Sequence, residues 1–157
     1  SSALVTNNQI IANRPAGVIV YGGRGNRILA NQISEHPSAG IQLLGGANDA
    51  LSPPRLGDAS ANGIAGTSCP VCRVEVFSDS ADEGRYFIGA TIAGSDGSFW
   101  LPYQHNKISG AHLTATQTDG AGNTSAFAQP VDRPAPAPDP TPTPDTFSLL
   151  FLPLVGR

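Results

Sequence analysis

Charge is scarce in this sequence. Asp, Glu, Lys and Arg make up 13% of its 157 residues, and the nine Lys and Arg are scattered without forming a basic stripe. Such a chain has no surface for neutralising phosphates, so nucleic acid is excluded as an expected partner. No window carries a sustained 3.6-residue apolar period closed by caps, so almost no helix is expected. No apolar run reaches the roughly 20 residues of a transmembrane helix. The motifs G-x-S-x-G and H-E-x-x-H do not occur, and His36, His105 and His112 stand apart from one another. Catalysis therefore has little support, and no enzyme activity is expected. Ser1 opens straight into patterned sequence without a signal-peptide layout, as expected of a mature product or a fragment.

What the chain does contain is 18 Gly, 14 Pro and short clusters of Asn, Thr and Ser. That mixture suits many short strands joined by turns, so the expected class is all-β. Shifts of composition divide it into residues 1–56, 57–131, 132–146 and 147–157, the third rich in Pro and Thr and the fourth apolar.

Within the first segment, NQIIANRPAGVIV from Asn8 and NRILANQISEHPSAGIQL from Asn26 are self-similar. Aligning Asn8 with Asn26, Asn13 with Asn31 and Gly17 with Gly40 gives intervals of 18, 18 and 23, which requires a five-residue insertion around Ser34 to Ser38. A period near 20 with N-x-I-x-x-N and then G-I/V-x-L/V suggests a solenoid in which each coil adds one rung. Ile10, Val18, Val20, Ile28, Ile33, Ile41 and Leu43 would point inward. The asparagines would sit at corners, where left-handed geometry suits them, and form ladders between coils. A third corner begins at Asn48, and Pro53-Pro54 ends the pattern. The competing reading is an ordinary small antiparallel sheet. Two coils bury too little to stand alone, so something is expected to cover the open coil face.

These residues resemble the right-handed parallel β-helix repeats of secreted bacterial surface proteins. From Gly63 onward the texture becomes alternating: RVEVF, RYFIGATIA, GSFWLP, AHLTATQT and SAFAQPV, separated by SDSADEG, GSDG and TDGAGN. Short strands at this spacing indicate an Ig-like or related β-sandwich. The V-E-V-F strand, the S-D-G-S-F hairpin and T-A-T-Q-T-D-G-A-G-N-T-S resemble the small Ig-like modules that follow β-helices in such proteins. The resemblance implies a spacer or adhesive role at the cell surface. Phe99 and Trp100 are adjacent, so only one of them can face the core.

Cys69-Pro-Val-Cys72 has redox-motif spacing but no expected helix to lower a thiol pKa, and a zinc site would need His105 or His112 to converge on it. A local disulfide bracing the start of the RVEVF strand is the favoured reading. No cofactor is expected. Asp79, Asp82, Asp119 and Asn123 are weak calcium candidates set against solvated Asp/Gly turns, because a calcium site needs six to eight oxygens. Glycoside hydrolysis needs two carboxylates across a groove, and only Glu35 and Asp49 lie in or beside the coils. Asn123-Thr124-Ser125 is formally a glycosylation sequon.

Asp132 to Asp145 reads DRPAPAPDPTPTPD, a polyproline II spacer with a reach of about 40 Å. It leads to Phe147, Leu149, Leu150, Phe151, Leu152, Leu154 and Val155, which are expected to find cover against a partner. The last residues, LPLVGR, resemble the apolar L-P-L-V-x-R tails of secreted surface proteins. They also resemble the LPxTG sorting signal, with Val155 in place of its threonine. The leading expectation is a non-enzymatic extracellular filament or surface subunit, joined head to tail through the coil end and a tail strand donated to a neighbour. The alternative is the C-terminal, non-catalytic part of a larger β-helix carbohydrate-active enzyme or adhesin, with the tail as an export signal. Expected partners are further copies or a cell-surface protein, with polysaccharide as a further candidate.

Overall fold

The computed structural model describes residues 2–104 and 108–135. Its first part consists of six short strands: β1 (Leu4–Thr6), β2 (Gln9–Ile11), β3 (Ala16–Tyr21), β4 (Arg27–Leu29), β5 (Gln32–Ser34) and β6 (Ala39–Leu44). They pair in parallel as β1 with β4, β2 with β5 and β3 with β6, not as the antiparallel sheet that was the competing expectation. Leu4 faces Arg27, Gln9 faces Gln32 and Ala16 faces Ala39, so all three pairs share one 23-residue interval.

The alignment of Asn8 with Asn26 and Asn13 with Asn31 is therefore corrected. Asn8 stacks on Asn31 and Asn26 on Asn48, and no five-residue insertion is needed. Two different corners of the same turn both carry asparagine, so the 18-residue spacing measured a step from one corner type to the other. Residues with positive φ recur at the 23-residue spacing as well: Asn7 with Ala30, Ala12 with Glu35, Gly22 with Gly45, and Gly25 with Asn48. The left-handed residue at these corners precedes Asn8, Asn26 and Asn31, leaving each of those asparagines free to use its amide between turns.

Every residue expected to point inward does so. Ile28, Ile33 and Ile41 are buried together, with Val5, Ile10, Val18, Val20 and Leu43 packed against them. Glycine is required where the turns approach closely. A Cβ on Gly17 would lie 2.7 Å from the Gly40 carbonyl oxygen and 2.7 Å from Ile33. Backbone cannot yield as a flexible side chain can, so Gly17→Ala is expected to lower unfolding free energy by about 1–3 kcal/mol in urea titration.

After a four-residue 3₁₀ turn at Ala47–Ala50, the chain forms β7 (Arg55–Ser60), β8 (Gly63–Thr67), β9 (Arg73–Asp79), β10 (Tyr86–Ile92), β11 (Ser98–Pro102), β12 (His112–Thr118) and β13 (Val131–Asp132). All pair antiparallel, in a four-stranded sheet β10-β9-β12-β13 and a three-stranded sheet β11-β8-β7. Val74, Val76, Leu113 and Ala115 of the first sheet meet Ile64, Phe99 and Leu101 of the second. Phe99 is the core member of its pair, and the Trp100 ring lies against Gly63 on the outer face. Strand β7 went unforeseen because RLGDAS is polar and follows two prolines. SAFAQPV, expected as a strand, is assigned as one only from Val131; Ser125 and Ala128 still donate to Gln117 O and Ala115 O of β12, and Phe127 serves the junction described next.

Candidate functional site

Alternation along β9 and β12 sends Val74, Val76, Leu113 and Ala115 into the sandwich core and Glu75, Phe77, Thr114 and Thr116 to the other face. On an isolated sandwich that second face would meet water. Here Glu75 is 1% exposed, Thr114 1% and Thr116 2%. The second turn covers Glu75 through Ala30, and Thr114 is closed off by the Ala128 carbonyl in the segment after β12.

The junction matches donors to acceptors. A strand edge leaves backbone N–H groups without partners, and such an edge readily recruits other chains. Along the outer edge of the second turn, Ile28 N–H donates to Thr124 Oγ1 (3.0 Å) and Ala30 N–H to Glu75 Oε2 (2.8 Å). Ile33 N–H donates to Gly84 O (2.9 Å), and His36 N–H donates to Glu83 Oε2 (3.1 Å). Gly84 N–H returns a bond to Ile33 O at 2.9 Å. Thus four edge donors on one turn are all taken by the sandwich.

Buried charge at this junction is paired. Glu75 Oε1 accepts from Arg73 Nε, and its second oxygen holds Ala30, so the carboxylate keeps its ionic partner while leaving water. Glu83 Oε1 lies 3.0 Å from His36 Nδ1 in a pair whose side chains are 5% and 0% exposed. At the rim, Arg85 bonds Glu35 at 2.6 Å, a contact that holds the Arg85 pKa above its usual value.

Two further groups lock the corner. Asn48 is fully buried: its Oδ1 accepts from Asn26 N–H and Nδ2, and its Nδ2 donates to Asn26 O and Thr124 O. Phe127 packs on the Ile28–Ile33–Ile41 cluster and meets Phe77 edge-on at 5.5 Å between ring centres. A Cβ on Gly40 or Gly84 would come within 2.6 Å of its ring.

Residues 54–132, from just before β7 through β13, match the bacterial Ig domain family. The chain belongs to the bacterial Ig domain family. Such domains are a non-catalytic type, found typically in extracellular or surface proteins. No curated protein matches the chain.

Among the residues singled out from sequence, Cys69 and Cys72 form a disulfide, with Cα atoms 5.4 Å apart. It closes the turn in which Cys72 N–H donates to Cys69 O, at the start of β9 of the Ig domain. So short a loop restrains the unfolded chain weakly, so Cys69→Ala/Cys72→Ala is expected to keep the fold and to lose about 2 kcal/mol or less by thermal denaturation.

The calcium candidates fall in two separate turns of the Ig domain. Asp79 spends its carboxylate on the N–H groups of Ser80, Ala81 and Arg85. Asp119 accepts from Ala121 N–H, Asn123 N–H and Asn123 Nδ2, and Asp82 does not join either set. Among the described residues no group of three or more His, Cys, Asp or Glu gathers as a metal set. Asn123 is 1% exposed and bonds Gly25 N–H through Oδ1, so the sequon is closed to glycosylation in the folded chain. Glu35 and Asp49 are each held by an arginine, Arg85 and Arg24. His112 pairs with Asp132, whereas His105 lies outside the described residues. Phe147, Leu149, Leu150, Phe151, Leu152, Leu154 and Val155, together with the proline spacer beyond residue 135, also lie outside them. No helix among the described residues is long and apolar enough to cross a membrane.

Asp119 makes the turn pH-sensitive. Burial raises its pKa, but the Asn123 side chain and the Asn123, Ala121 and Gly122 backbone hydrogen bonds together hold it below the ordinary 3.8. A depressed carboxylate contributes stability that is present above the unfolded value and lost as pH falls through the folded value. Acid titration below pH 3.8 is therefore expected to loosen Asp119–Asn123 and with it the Gly25 contact, and Asp119→Asn is expected to flatten that limb of the stability curve.

Glu75, Gly84, Thr124 and Phe127 are the residues that sequence reasoning missed, and Glu83, which it placed in an acidic cluster with Asp79 and Asp82, was not expected at this junction. The available signal was the polar half of V-E-V-F and T-A-T-Q-T, which reads equally as a wet sheet face.

Proposed function

We propose that this chain is a non-catalytic module of an extracellular surface protein whose bacterial Ig domain terminates a stack of parallel coils. One observation carries the reading: Ile28, Ala30, Ile33 and His36, four edge donors along β4, β5 and the corners that follow them, are satisfied by side chains or backbone of the Ig domain. A coil stack has two raw ends, and a terminal unit with a suitable face keeps one of them from recruiting other chains. The Ig domain supplies that face, while its outer surface and following spacer remain available for contacts at the cell surface.

The test is a paired variant, Glu75→Ala with Thr124→Val, in the full chain. Stripping two of the four acceptors is expected to leave the sandwich folded by circular dichroism and to produce concentration-dependent association in analytical ultracentrifugation. A variant that stays monomeric with an unchanged thermal midpoint contradicts the capping role.

A second reading is favoured by the first turn, where among the described residues β1, β2 and β3 each pair on one side only. In this reading the chain is a filament subunit, and the apolar segment Phe147 to Val155 of one copy adds to that free edge on the next. Deleting residues 147–157 would then abolish filaments seen by electron microscopy; persistence of the filaments defeats the reading.

A further inference from the structure

The two ends of the coil pair differ. On the Ig side, Ile28, Ile33 and Ile41 are 3%, 1% and 3% exposed, whereas Val5, Ile10 and Val18, their equivalents in the first turn, are only half-buried. The hydrogen bonds between the turns run both ways: Asn7 N–H donates to Leu29 O and Ala12 N–H to Ser34 O, and in return Arg27 N–H donates to Ala3 O and Gln32 N–H to Asn8 O. One 23-residue step back, the corresponding donors are Leu4 and Gln9, which face the open side. The asparagine ladder also stops partway: Asn31 Oδ1 accepts from Asn8 N–H and Nδ2, and the Oδ1 of Asn8 is the next acceptor in that series.

We infer that the open edge of the first turn is a docking surface for a further parallel coil of the same 23-residue spacing, joined in series on the side away from the Ig domain. This rests on the capping reading and adds the partner of the opposite end. What favours a coil over a single donated strand is the shape of the edge. It offers two three-residue strands and one six-residue strand, separated by residues with positive φ at Asn7 and Ala12. An occupant must turn at the same places, as the second turn does with positive φ at Ala30 and Glu35. The nine residues FSLLFLPLV are too few to follow β1, β2 and β3 from Leu4 to Tyr21 and could match one strand but not three. An added coil would bond along β1, β2 and β3. At the corner where Ser38 donates to Pro15 O, the first turn has Pro15 and no donor to give, so the ladder would skip that point.

The experiment lengthens the full chain by a tandem copy of residues 3–25 placed directly before Ala3, which preserves the 23-residue register. Amide exchange is followed by nuclear magnetic resonance. In the extended chain Leu4 and Gln9 are expected to exchange at least ~10-fold more slowly and the thermal midpoint to rise. A control copy with its Val5, Ile10, Val18 and Val20 equivalents changed to serine is expected to give neither effect. Unchanged exchange at Leu4 and Gln9 with Ala30 and Ile33 still protected overturns the docking proposal and leaves the cap intact. Fast exchange at Ala30 and Ile33 in the parent chain would instead strike the capping reading. If deleting residues 147–157 from the parent speeds exchange at Leu4 and Gln9, the tail is the occupant and the coil proposal fails.

Discussion

Asn48→Ala is expected to lower the unfolding free energy by about 3 kcal/mol, among the largest effects of any polar substitution in this chain. The wild-type amide makes four hydrogen bonds in a fully buried position. Removing it leaves Asn26 N–H, Asn26 O and Thr124 O to seek other partners away from water, and each unsatisfied buried group costs about 1–3 kcal/mol. Asn48 also has φ of 50°, a conformation asparagine tolerates better than alanine. Asn48→Asp separates the two contributions. It keeps a side chain that suits the left-handed region but turns a carboxylate oxygen toward two carbonyl oxygens, so it should be at least as damaging as alanine. Urea titration of both variants checks the prediction; a loss below about 1 kcal/mol for either would mean that the corner does not depend on this amide.

Phe127→Ala is expected to cost about 3 kcal/mol, at the low end for phenylalanine because the ring is only half-buried. The ring fills the space between Gly40 of the second turn, Gly84 of the loop before β10 and Phe77 of β9. Small residues at 40 and 84 make room for it, so neighbours cannot close the cavity without backbone movement. The effect should be regional. Exchange protection at Ile33 and Gly84 should fall, whereas Val74 and Leu113, inside the sandwich, should retain theirs. A uniform loss at all four positions would show that Phe127 supports the sandwich core rather than the junction.

Much of this architecture is legible in the residues because strand periodicity is local. The alternation in RVEVF and AHLTATQT predicts β9 and β12, and Ile10, Val18, Ile28, Ile33 and Ile41 announce an inward row before any pairing is known. The turns at SDSADEG and TDGAGN follow from their Asp and Gly. What misled was the asparagine spacing. Asn8, Asn13, Asn26 and Asn31 look like one repeated corner, and only the hydrogen bonds show that Asn8 belongs with Asn31. The 23-residue interval was visible in Gly17 and Gly40, the pair whose spacing is fixed by close backbone approach rather than by a preference for turns.

The junction was the least readable part for a physical reason. Glu75 and Thr124 are chemically ordinary for a wet sheet face and a wet hairpin, and burial comes to them from a segment about 45 or more positions away. Sequence reasoning anticipated that the open coil face needed a cover, and looked for it in further coils or another subunit. For the second turn the cover is the chain's own Ig domain. Asn123 shows the converse: placed by its sequence in a solvated Asp/Gly turn, it is an internal fastener between Asp119 and Gly25.

The most direct measurement is native-state hydrogen exchange at the amides of Ile28, Ala30, Ile33 and His36 in the unmodified full-length chain. If the Ig domain seals that coil edge, all four should exchange as slowly as Val76 and Leu113 at the centre of the sandwich. Exchange at the rate of open, solvated amides while Val76 and Leu113 remain protected would contradict the seal and the function built on it.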